Sequence, residues 1–65
     1  MNELDVVALV VDLPDGLKKG HVGTIVDVLE PDVYLVEFAG LDGVAYAILP
    51  VRREQLILLK YDVAA

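Results

Sequence analysis

Val33-Tyr34-Leu35-Val36-Glu37-Phe38-Ala39 sets Tyr34, Val36 and Phe38 on one face of an extended chain and Glu37 on the other, because successive side chains of a strand point to opposite sides. Just before it stands Glu30-Pro31-Asp32. Pro31 has no N–H to give to a ladder, so it separates this strand from an earlier one over about Val22 to Glu30. Just after it, Gly40-Leu41-Asp42-Gly43 reads as a short hairpin link, since Asp-Gly accepts positive φ at little cost. Val44 to Leu49 follows as a fourth strand, with Val44, Tyr46 and Ile48 on one side and the small Ala45 and Ala47 on the other. Pro50 is expected to end it.

Toward the N-terminus, Asp5-Val6-Val7-Ala8-Leu9-Val10-Val11 is rich in β-branched residues and reads as the first strand. It gives way to Asp12-Leu13-Pro14-Asp15-Gly16, where Pro and Gly both favour a turn, so an irregular loop to Lys19 is expected. Gly20-His21-Val22-Gly23 brings the chain back into the second strand. Toward the C-terminus, Val51-Arg52-Arg53-Glu54-Gln55 has no β signal and reads as a single helical or 3-10 turn, with Leu56 to Lys60 as a fifth strand. Good helix formers between Arg52 and Lys60 leave a nine-residue terminal helix as the alternative. Five short strands, a long first loop and a helical turn before the last strand describe one all-β domain over residues 1–65, a small five-stranded SH3-like barrel. Such a barrel buries alternate residues of each strand. The expected core is Val7, Leu9, Val26, Val28, Tyr34, Val36, Phe38, Tyr46, Ile48 and Leu56.

Hydrophobic residues make up 57% of the 65, above the roughly 45–50% usual for soluble domains. A domain of this size buries only about 60% of the surface its unfolded chain exposes. Apolar side chains are therefore expected to remain outside the core, and a protein surface is the expected cover. The longest uninterrupted apolar runs, Val6 to Val11 and Val44 to Leu49, are six residues each, whereas a membrane span needs about 20. Met1-Asn2-Glu3-Leu4-Asp5 carries acids where a secretory signal carries Lys or Arg, so a cytoplasmic location is expected.

Chemistry-bearing residues are few. There is no Ser and no Cys, and Thr24 and His21 are the single Thr and His, so no Ser- or Cys-based triad can be assembled within one chain. His21 lies between turn glycines and reads as a loop residue. Asp12 with Asp15, and Glu30 with Asp32, lack the dense Asp/Asn spacing of a calcium loop and read as turn-forming acids. No enzyme activity, cofactor or metal site is expected.

Glu3-Leu4-Asp5-Val6-Val7, Asp12-Leu13-Pro14, Gly16-Leu17-Lys18-Lys19-Gly20-His21-Val22-Gly23-Thr24-Ile25-Val26, Tyr34-Leu35-Val36-Glu37-Phe38 and Leu41-Asp42-Gly43 together resemble a bacterial family of short proteins known as domain of unknown function 4926. The resemblance spans nearly the whole chain and implies an SH3-like barrel, with His21 standing where relatives are expected to carry an acid. It implies no activity. The segment from Gly16 to Val26 also resembles the KOW motif of ribosomal and transcription proteins, which implies RNA or transcription-complex binding through Lys18, Lys19, Arg52 and Arg53. Against that stands a net charge of −6, which repels a phosphate backbone at long range. Polyproline recognition needs a dense aromatic groove, and the chain has no Trp and four aromatic residues, three of them in core phase.

The expectation is therefore a non-enzymatic protein-interaction module that self-associates, binds a larger protein, or both, in an accessory or antitoxin-like role that masks a partner's basic or apolar site. Because Val6 to Val11 and Leu56 to Leu59 are apolar on both faces, Val6, Ala8, Val10, Ile57 and Leu59 are the candidate contact residues, with Tyr61 at the margin of the contact.

Overall fold

In a computed structural model describing residues 1–14, 16–40 and 45–60, without the side chains of residues 45 and 46, the alternating segment forms an interior strand of one antiparallel sheet. Its strands are β1 (Val6–Leu9), β2 (Val22–Glu30), β3 (Val33–Ala39), β4 (Ala45–Arg52) and β5 (Leu56–Leu59), in the order β4-β3-β2-β1-β5. A 3-10 turn at Arg53–Gln55 stands between β4 and β5, so the C-terminal helix does not form. The chain is all-β, with the strand number and the single turn that its sequence leads one to expect. The link at residues 41–44 lies outside the described residues.

Tyr34, Val36 and Phe38 are buried, and residues directly opposite one another in an antiparallel pair share a face. Register therefore decides what joins them. On β4, Phe38 faces Ala47, Val36 faces Leu49 and Tyr34 faces Val51, whereas Ile48 faces Glu37. Ile48 is 55% exposed and Val51 is buried, which reverses the phase expected for this strand. Two causes combine. The ladder passes from Phe38–Ala47 to Ala39–Ala45, skipping Tyr46, and a small alanine rather than an isoleucine is what fits opposite the Phe38 ring. Nor does Pro50 end β4: it pairs with Leu35 and the strand runs on to Arg52. An edge strand tolerates proline, because one row of its backbone groups has no partner to lose.

β2 shows the same kind of correction. Its register with β3 slips between Ile25 and Asp27 and again between Val28 and Glu30, leaving Val26 and Leu29 as extra residues. A bulge of this kind turns the following side chains to a new phase. Ile25 is fully buried, while Val26 is only half-buried and Val28 is exposed. Beyond Ile25, moreover, β2 is paired only with β3, because β1 pairs no further than Val6 with Thr24. Among the described residues no strand pairs with β2 on the other side of Val28. The core thus gathers Val7 and Leu9 of β1, Ile25 of β2, the three β3 residues, Val51 of β4 and Leu56 of β5. Tyr46, also expected there, has its side chain outside the described residues.

β1 ends at Leu9, two residues before the expected Val11. Leu9 N–H donates to the His21 carbonyl (2.9 Å) and Gly20 N–H to the Leu9 carbonyl (2.8 Å), after which the chain bends into the long loop. Gly16 (φ +85°) and Gly20 (φ +95°) adopt the left-handed region that only glycine enters freely. Between them the loop folds inward and places Leu17 in the core, fully buried. Leu13 N–H donates to the Leu17 carbonyl (2.8 Å), and Asp12 Oδ1 accepts from Lys19 N–H (2.8 Å). Asp12→Ala, which removes that exposed loop clamp, is expected to cost about 0.5–1 kcal/mol in urea unfolding. Asp12→Asn retains the acceptor oxygen and should recover most of it.

Candidate interaction surface

The outer face of β2, β1 and β5 carries two uncharged rows. Ala8 lies directly opposite Val22 on one side and Ile57 on the other, and Val6 lies opposite Thr24 and Leu59. Neighbouring strands are about 4.8 Å apart and same-face residues of one strand about 6.7 Å, so these six side chains form one continuous patch. Val22 (49%) and Ile57 (52%) are its exposed ends. Val6, Thr24 and Leu59 are half-buried, and Ala8 is buried, a methyl group standing between two larger side chains on its own face. Glu37, opposite Thr24 on β3, is the first charge met in that direction.

Of the residues expected to make contact, Val6, Ala8, Ile57 and Leu59 are brought together here. Val10 is half-buried at the bend after β1, where its N–H donates to the Gln55 carbonyl (3.0 Å). Tyr61 lies outside the described residues. Val22 and Thr24 belong to the patch but were not among the expected contacts. Their membership depends on the β1–β2 register, and no local pattern around Gly20-His21-Val22-Gly23 signals it.

The two edges of the sheet differ. β4 carries Pro50, a register slip at Tyr46 and the charged Arg52, all devices that discourage pairing with another chain. β5 reads Leu56-Ile57-Leu58-Leu59, without charge, proline or bulge. Among the described residues no strand lies beyond it. In an antiparallel ladder, hydrogen-bonded and non-hydrogen-bonded pairs alternate. The Val10–Gln55 bond therefore assigns the backbone groups of Ile57 and Leu59 to β1 and turns those of Leu58 outward.

The four basic residues of the nucleic-acid alternative do not make a uniform field. Arg52 Nε is 3.6 Å from Glu54 Oε1, and Arg53 Nη1 is 3.9 Å from Asp32 Oδ1, both pairs well exposed. Lys18 and Lys19 are exposed on the long loop, with Asp12 holding the backbone of Lys19. His21 helps to close that loop: its Nδ1 accepts from Lys18 N–H (2.9 Å) and its own N–H donates to the Lys18 carbonyl (3.0 Å). A cleft of about 430 Å³ beside the 3-10 turn is lined by Met1, Asp32, Arg53, Glu54 and Leu56. Among the described residues no three His, Cys, Asp or Glu side chains cluster as metal ligands do, and no helix is long and apolar enough to cross a membrane.

No curated protein and no solved structure matches the chain significantly. A family model does: the one described as Domain of unknown function (DUF4926) matches residues 3–58, most of the chain, so the resemblance carried by the segments from Glu3 to Gly43 is that of a member, and the protein belongs to the DUF4926 family.

Proposed function

We propose that the protein is a non-enzymatic, cytoplasmic protein-interaction module whose contact surface is the outer face of β2, β1 and β5. The observation that carries this reading is the uncharged patch from Val22 through Ala8 to Ile57, lying beside the β5 edge, beyond which no strand lies among the described residues. Contiguous apolar surface next to open backbone groups is what a protein partner covers. RNA binding is disfavoured by the net charge of −6 and by the acids that stand beside Arg52 and Arg53.

The experiment is affinity purification of the tagged protein from its host, wild type against Ile57→Glu, washed in 0.5 M salt. A charge at this exposed position leaves the core untouched, so the variant should remain folded by circular dichroism. It should also lose its protein partners at least tenfold. Apolar contacts survive such a wash, whereas phosphate contacts weaken steeply. A partner set identical in the two purifications would overturn the proposal. So would a micromolar or tighter complex with cellular RNA at physiological salt that is abolished when Lys18, Lys19, Arg52 and Arg53 are all changed to Gln.

A further inference from the structure

We infer that the β5 edge pairs with the β5 edge of a second copy, antiparallel, about a two-fold axis through Leu58. The inference rests on the reading of this face as a protein contact surface and names its occupant.

The hydrogen-bond geometry selects the register. Leu58 presents both its N–H and its C=O outward, since Ile57 and Leu59 spend theirs on β1. Leu56 has its N–H bonded to the Arg53 carbonyl across the 3-10 turn, so on this edge it offers only its C=O. With Leu58 opposite Leu58 of the other copy, each Leu58 N–H meets the other's carbonyl. Each Lys60 N–H then meets the carbonyl of the other copy's Leu56. No donor is left facing a donor. Moving the axis to Ile57 would instead place Leu58 opposite Leu56, whose N–H is already taken, and lose part of the ladder.

The side chains agree with this arrangement. An axis normal to the sheet keeps the two outer faces on the same side. Ile57 of each copy then stands directly opposite Leu59 of the other, in the closer, non-hydrogen-bonded type of pair. The two apolar patches become one. Lys60 falls opposite Leu56 rather than opposite another Lys60, so no like charges meet across the new ladder. The β4 edge cannot do the same, because Pro50 removes a donor and the slip at Tyr46 bends the strand.

The contact is small. A four-residue edge and its flanking side chains cover a few hundred Å² per copy, below the roughly 800 Å² of a standard interface. Each copy also carries −6. The dimer should therefore be weak, concentration-dependent and strengthened by salt, which screens the repulsion.

The chain has no cysteine, so cysteine pairs report the register directly. A non-hydrogen-bonded pair has Cα atoms about 4.5 Å apart, within disulfide range, whereas Ile57 and its own symmetry mate would be about 8 Å apart in this register. On mild oxidation, an equimolar mixture of Ile57→Cys and Leu59→Cys proteins should give at least fivefold more cross-linked dimer than either variant alone or than an Ile48→Cys control. Crosslinking of Leu59→Cys alone, or of Ile57→Cys alone, above the mixture overturns the register and with it the proposal. No crosslink in any mixture, together with a wild-type protein that sediments as a monomer at high micromolar concentration in 0.5 M salt, overturns the second copy as occupant. If Ile57→Glu nevertheless strips host partners, the contact-surface reading stands without it.

Discussion

Leu17→Ala is expected to destabilise the protein by about 2–5 kcal/mol, the cost of a cavity at a fully buried leucine, although the residue sits in a loop. A domain this small rarely has more than about 3–5 kcal/mol of stability to lose. The variant should therefore be largely unfolded at ambient temperature, with no cooperative urea transition, or one shifted far toward zero denaturant. Val28→Ala, which truncates a residue that is 44% exposed on the far half of β2, should change stability by no more than about 0.5 kcal/mol. Equal transitions for the two variants would mean that the loop between β1 and β2 does not contribute to the core.

Gly23→Val is expected to cost about 3 kcal/mol, at the upper end of overpacking effects. The reason is close approach rather than bending. Gly23 lies inside β2, buried, directly opposite Phe38. A Cβ there would come within 2.7 Å of Val36 Cγ1, 2.9 Å of the Glu37 carbonyl oxygen and 2.9 Å of Phe38 Cδ1. The carbonyl belongs to the ladder and cannot yield without breaking it. Even Gly23→Ala should therefore lower the urea midpoint, by less than valine does. A wild-type midpoint in either variant would contradict the β2–β3 register.

Glycine's role here shows how far local reading reaches. The sequence reads Gly23 as a turn glycine at the entry to the second strand, and only the packing of Val36 and Phe38 against its missing side chain identifies the close approach. Leu17 was not legible at all. It stands between Gly16 and Lys18-Lys19 in a stretch with no strand or helix period, and only the inward fold of the loop between two left-handed glycines buries it. Of the contact patch, Val6, Ala8, Ile57 and Leu59 could be singled out because their runs are apolar on both faces. Val22 and Thr24 could not, because membership follows from pairing across strands.

By itself the sequence determined what depends on neighbours along the chain. The limits of β2 and β3 follow from β-branched runs closed by Pro31, the core face of β3 from the alternation of Tyr34, Val36 and Phe38, and the 3-10 turn from a short stretch at Arg53 that lacks β-formers. These are period and propensity effects, acting over a few residues. What only the tertiary structure decided is register. One skipped residue at Val26, another at Leu29 and a third at Tyr46 set which side of the sheet each later residue faces. A side-chain period of two means that a slip of one residue exchanges inside for outside. For that reason Ile25 and Val51 displaced Val26 and Ile48 from the core, and the same pairing brought Val22, Ala8 and Ile57 into one row on the outer face, exposed at its two ends.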